Sequence, residues 1–123
     1  MQYLCLCYYD ETRFDELLET ELQMLEEECE PHDEALHNSG RLIVVGSLAP
    51  PKCSKVVLPG NPCTSTFAGP YVATHEPVGA FFIVEAKDWD EAIGLASLHP
   101  GAHVGQYLGG GIEVRLCESF ERV

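Results

Sequence analysis

Basic residues are scarce: 7 Lys and Arg stand against 20 Asp and Glu in 123 residues, a formal charge of −13. Nucleic-acid binding needs a clustered cationic surface, so this shortage excludes nucleic acid as an expected partner. Long apolar runs are missing as well. None approaches the roughly 18–20 residues of a bilayer span, and no membrane partner is expected. The opening segment, Met1 to Asp10, lacks a basic region and a small-residue cleavage site, which predicts a cytoplasmic protein without an export signal. Among the six cysteines there is no Cys-x-x-Cys, and the Cys53 to Cys63 interval fits no zinc spacing. Cys5 and Cys7 in a strand-like run, Cys29 in a helical one and Cys117 in another strand read as buried thiols of a reducing compartment. Gly-x-Ser-x-Gly, His-Glu-x-x-His, Rossmann and Walker patterns are absent too. No cofactor and no metal site is expected.

What is present is a chain of one-domain length with 46% hydrophobic residues, enough for a single core over residues 1–123. Residues 3–9 are aromatic and apolar throughout and predict a central strand. Asp10 or Thr12 then caps a helix in which Leu17, Leu18, Leu22, Leu25 and Cys29 recur at helical spacing. Pro31 is expected to end this helix or to open a second one running to Ser39, with Gly40 as terminator. Leu42 to Leu48 predicts a second strand. Val56 to Leu58 and Cys63 to Phe67, flanking Pro59-Gly60-Asn61-Pro62, predict a projecting hairpin. Val78 to Ala86 is the clearest strand. A helix from Asp88 follows, with Trp89, Ala92, Ile93 and Ala96 on its apolar side. Gly109 to Gly111 precede a last strand, Ile112 to Leu116. The order is that of an α+β, ferredoxin-like split βαβ fold with an inserted hairpin. Such a sheet carries helices on one face only, and the other face needs a cover, which predicts self-association.

Acids crowd one stretch: Asp10 to Glu34 holds 12 Asp or Glu and one Arg, Arg13. This reads as a solvated helix face or as a docking surface for a basic segment.

Several motifs carry a family resemblance. Tyr3, Cys5, Leu6, Tyr8, Asp10 and Glu11 form an opening strand with an acidic pair after it. Ala35-Leu36, Ser39-Gly40, Leu42, Gly46, Leu48 and Pro50-Pro51 follow in order. Gly69-Pro70-Tyr71, Thr74, Glu76, Gly79, Phe81 and Glu85 form a signature and its strand. Pro100-Gly101-Ala102 and Ile112-Glu113-Val114-Arg115 close the pattern. In this order the chain resembles the YCII-related family, and within it the DGPF-domain branch. The resemblance implies a dimeric α/β barrel in which two sheets face each other. It also implies a possible link to sigma factors, which such proteins accompany. Departures are specific. The signature Asp falls at Ala68, the signature Lys at His75 and the usual Glu at Ala73. The histidine of the family's His–Asp pair would fall near Cys29.

Candidate chemistry centres on five residues. Asp10 is either a helix N-cap or, if a dimer covers it, a general base with a raised pKa. His75, beside Glu76, is an acid–base candidate or an exposed loop histidine. Tyr8 and Tyr71 are candidate cleft walls, with core packing the other reading for Tyr8. Arg115 is an anchor for a carboxylate or phosphate, or an ion-pair partner of Glu113 or Glu85. His99 and His103 stand four apart, but Pro100-Gly101 breaks any helix between them. His32 and His37 are expected to face solvent. Gly109 to Gly111 lacks the Lys and helix of a phosphate loop and reads as a flexible turn. Two functional classes stand side by side. One is a homodimeric small-molecule-binding or regulatory domain, with a small organic ligand or a basic protein segment such as a sigma factor as partner. The other is a cofactor-free enzyme doing proton transfer or elimination on a small organic acid in the dimer cleft.

Overall fold

The computed structural model describes all residues, 1–123. Strand β1 (Gln2–Tyr8) is followed by a 3₁₀ turn (Glu11–Glu16) and helix α1 (Glu19–His37). Strand β2 (Leu42–Ser47), a short 3₁₀ turn (Pro51–Cys53), and the hairpin β3 (Lys55–Leu58) and β4 (Ser65–Ala68) come next. Strand β5 (Val78–Glu85), helix α2 (Trp89–Ala96), a turn at Pro100–Ala102, the one-turn helix α3 (Gly105–Leu108) and strand β6 (Gly111–Leu116) complete the chain. The main sheet is antiparallel in the order β2-β5-β1-β6, while β3 and β4 pair only with each other. Strand and helix order together are ferredoxin-like with a hairpin inserted after β2, as the sequence pattern predicts.

Alternation along β1 explains the layers. Tyr3, Cys5 and Cys7 point to the helices and are buried, opposite Val84, Phe82 and Ala80 of β5. Leu36 of α1 and Ala92, Leu95 and Ala96 of α2 close over them. Phe82 is fully buried, and truncating such a side chain to Ala costs about 3–5 kcal/mol. A second, smaller cluster joins Leu25 of α1 to Val104 and Leu108, with Tyr9 and Leu17 packed against it. The opposite sheet face carries Leu4, Leu6, Tyr8, Phe81 and Ile83, each only half-buried in the single chain.

Three expectations about the helices are corrected. The acidic segment forms a 3₁₀ turn and then one helix from Glu19, with a break at Leu17 and Leu18. The Glu21 carboxylate accepts the Leu18 N–H at 2.9 Å and closes its first turn. Pro31 neither ends this helix nor starts another; α1 runs through it to His37. The ring removes one hydrogen bond, but Pro31 and Glu27 both face solvent, where water can satisfy the freed carbonyl. On α2 the inward face is Ala92, Leu95 and Ala96, whereas Ile93 and Trp89 are exposed.

Candidate functional site

One end of the sheet gathers the chemistry. Three contacts bring distant segments together there. The Tyr9 N–H donates to the Pro77 carbonyl at 3.2 Å, and the Asp10 N–H to the Leu108 carbonyl at 3.0 Å. The Gly110 N–H donates to Glu76 Oε2 at 2.7 Å. Gly109 and Gly110 both adopt positive φ, +67° and +74°, so the glycine run is a turn pinned by a carboxylate. One of its N–H groups is therefore already occupied, which argues against a phosphate loop. Tyr9 lies against Gly79, where its hydroxyl donates to the Gly79 carbonyl at 3.3 Å.

Two clefts open beside this junction. The first, about 560 Å³, is lined by Asp10, His75, Lys52 and Thr74 among others. The second, about 720 Å³, is lined by Tyr8, Tyr71, Lys55 and Val56 among others. They share the wall formed by Pro50, Pro51, Thr74 and Pro77. Both volumes lie in the range of small-molecule sites. The frame is tied by backbone bonds: the Gly69 N–H donates to the Ser54 carbonyl and the Leu48 N–H to the Gly79 carbonyl, each at 2.9 Å.

The sequence-derived candidates are distributed unevenly. Asp10 and His75 lie in one cleft, and Tyr8 and Tyr71 in its neighbour. Asp10 caps the 3₁₀ turn: its Oδ1 accepts the Thr12 N–H at 3.0 Å and the Thr12 hydroxyl at 2.6 Å. Arg13 Nε stands 3.8 Å from its other oxygen. The Thr12 hydrogen bonds hold the Asp10 carboxyl below the usual range, aided by Arg13 and His75 against a desolvation penalty. In the single chain this is the reverse of the raised pKa expected for a covered base. The Tyr8 hydroxyl donates to Glu113 Oε1 at 2.8 Å, and that bond raises its pKa. Arg115 lies on β6 opposite Leu4, exposed on the open sheet face and outside both clefts. It forms no ion pair with Glu113 or Glu85.

Other groups were not legible in the sequence. Cys7 Sγ lies 3.7 Å from His99 Nδ1, an atom that accepts the Gly101 N–H at 2.9 Å. The His99 ring stacks on Phe82 with centroids 4.7 Å apart. Burial pushes the Cys7 thiol up to about 11 and lowers the pKa of His99, so the pair is a neutral packing contact and not a thiolate–imidazolium nucleophile. His32 is half-buried and stacks on His103 at 3.7 Å, contrary to the expected solvent-facing position. All six cysteines are free; Cys5 and Cys7 are buried, but Cys53 and Cys63 are exposed. The acids of α1 contact their own helix, as in Gln23 to Glu27 and His37 to Asp33. No helix is long and apolar enough to cross a membrane.

Fold and site define a class first: a ferredoxin-like α+β domain with paired clefts where β1 leaves the sheet. Residues 1–113 match the YCII-related domain, and the chain belongs to that family. Its structure is similar to that of 5-chloro-2-hydroxyhydroquinone dehydrochlorinase from Burkholderia phenoliruptrix AC1100, solved in complex with 2,5-dihydroxybenzoquinone. The two share 18% identity and a TM-score of 0.51, over 96% of this chain and 94% of that one. At such identity the likeness is one of fold. No curated protein matches the chain.

Proposed function

We propose that this protein is a homodimeric small-molecule-binding domain whose paired clefts receive a small cyclic organic ligand. The observation that carries this reading is the common wall of Pro50, Pro51, Thr74 and Pro77. It places the Asp10–His75 cleft directly beside the Tyr8–Tyr71 cleft, so a ring between the tyrosines has acid–base groups within one wall's width. Pairing is supported by the open sheet face, where Leu4, Leu6, Phe81 and Ile83 await a cover. A second copy would supply the same apolar patch in return.

The Asp10–His75 juxtaposition favours a second reading, that the ligand is also transformed. His75 would take a proton from the substrate as a leaving group departs. The ionised Asp10 carboxylate would stabilise the imidazolium so formed. A fold neighbour named as a dehydrochlorinase is compatible with such an elimination.

Titration with 2,5-dihydroxybenzoquinone tests the binding reading. Saturable binding that weakens about tenfold in Tyr71→Ala supports it, because Tyr71 is exposed and its loss spares the core. Binding that never saturates, or that ignores Tyr71, overturns it. Chloride release from 5-chloro-2-hydroxyhydroquinone tests the enzymatic reading. Asp10→Asn keeps the capping oxygen but removes the charge, so turnover should fall while folding persists. Turnover equal to the parent's in both Asp10→Asn and His75→Gln would remove both residues from the chemistry.

A further inference from the structure

The cleft bounded by the Pro50–Val56 segment and the Pro70–Thr74 loop differs from the rest of the molecule in its charge. Its lining holds 15 residues and not one Asp or Glu, although the chain carries 20 acids in 123 residues. At that frequency two or three of the 15 would be acidic. The single charged side chain in the lining is Lys55. Lys52 lines the adjoining cleft. Two of only seven basic residues therefore stand three positions apart, on either side of the shared wall. Lys52 shares its cleft with Asp10, Glu11 and Asp15, whereas Lys55 forms no ion pair and has no acid beside it in the lining.

The position of Lys55 follows from the hairpin. It opens β3 and pairs with Ala68, the last residue of β4. The Gly69 N–H then donates to the Ser54 carbonyl, and the chain continues through Pro70 to Tyr71. A Cβ at Gly69 would run into the Ser54 side chain, so this close crossing depends on glycine. The crossing sets the base of β3 and the Tyr71 loop against each other, with Tyr8 of β1 on the remaining side. The surfaces between them are apolar: Val56, Val72, Val78 and the proline rings. An apolar slot with aromatic rings and one unpaired cation fits a planar anion better than a neutral or cationic ring.

We propose that this cleft is specific for a planar organic anion, an aromatic carboxylate or phenolate, and that Lys55 is its anchor. This deepens the binding function above and rests on it. It also moves the anchoring role from Arg115, which lies outside the cleft, to a lysine of the inserted hairpin.

Calorimetric titration with 2,5-dihydroxybenzoate and with its neutral methyl ester separates the possibilities. The free acid should bind at least tenfold more tightly than the ester, with an advantage that shrinks as salt is raised. Lys55→Gln should cancel that preference by weakening the carboxylate alone, and Lys55→Arg should retain it. Lys87→Gln, on an exposed residue beyond the far end of β5, should change neither affinity. Equal affinities for the two probes, or an unaltered preference in Lys55→Gln, would overturn the anchor while leaving a small-molecule cleft in place. Failure of both probes to bind would overturn the anchor, and the binding function falls with it only if 2,5-dihydroxybenzoquinone also fails to bind.

Discussion

Two glycines make opposite predictions for the same substitution. Gly110 has φ +74°, and an added Cβ would run into the backbone carbonyl of Tyr8. Tyr8 cannot yield cheaply, because it belongs to the central strand and pairs with Gly111 across the β1–β6 ladder. The left-handed conformation alone costs a non-glycine residue about 1–2 kcal/mol. Separating the backbones also strains the Gly110–Glu76 hydrogen bond and the adjoining ladder bond, each worth about 1 kcal/mol. Gly110→Ala should therefore destabilise the fold by about 3 kcal/mol or more. Gly94 sits inside α2 with nothing within 4 Å of an added Cβ. Gly94→Ala removes only backbone entropy from the unfolded chain and should stabilise by about 0.5–1 kcal/mol. On thermal unfolding these values correspond to a fall of roughly 10 °C and a rise of roughly 2–5 °C. Both variants should be compared with the parent at one protein concentration, since a pairing chain unfolds at a concentration-dependent temperature. A neutral Gly110→Ala, or a destabilised Gly94→Ala, would refute the packing argument.

Pro31→Ala should restore a helical hydrogen bond in the solvent-facing side of α1 and raise stability by about 1–2 kcal/mol, read by urea denaturation; an unchanged midpoint would count against it. His99 titrates below its usual range because burial disfavours the cation, with Asp33 acting the other way and His37 reinforcing it. The unfolded chain then binds the extra proton first. Its contribution to stability is thus fully present above the unfolded pKa of about 6.5 and is lost as pH falls toward the folded value. His99→Phe, which keeps an aromatic ring over Phe82, should flatten that part of the pH–stability curve; a parent and variant that stay parallel below pH 6.5 would contradict this. For the proposed homodimer, Leu6→Glu on the open face should halve the mass seen by light scattering. A parent that scatters as a single chain would dispose of the pairing.

The sheet was legible because its strands obey a simple rule. Tyr3, Cys5 and Cys7 alternate with Leu4, Leu6 and Tyr8, and the apolar face-to-face pattern of β5 answers them residue by residue. The helices were less legible where solvent decides. A proline reads as a boundary only if the carbonyl it orphans has no other partner, and at Pro31 that carbonyl belongs to a solvent-facing residue, Glu27. On α2, Ala92 and Ala96 face inward as expected, but Leu95 joins them and turns the buried stripe away from Ile93 and Trp89. The one-turn helix Gly105–Leu108 is too short to show any periodicity.

The site divides along a different line. Asp10 could be read as a cap from local sequence, because its partner Thr12 is two residues away. Its convergence with His75 could not, since that depends on the Tyr9–Pro77 and Asp10–Leu108 backbone bonds between segments far apart in the chain. The same dependence has a useful consequence. Backbone bonds, the Gly69 crossing and the Glu76 clamp hold the cleft walls, while His75, Tyr71, Lys52 and Lys55 are exposed and carry none of that frame. Polar side chains mounted on a frame they do not support can change without unfolding the domain, so specificity is free to vary while the fold stays constant. Substitutions at these four positions should alter ligand preference with stability changes within about 0.5 kcal/mol, whereas Glu76→Ala, which releases the glycine turn, should disturb both at once.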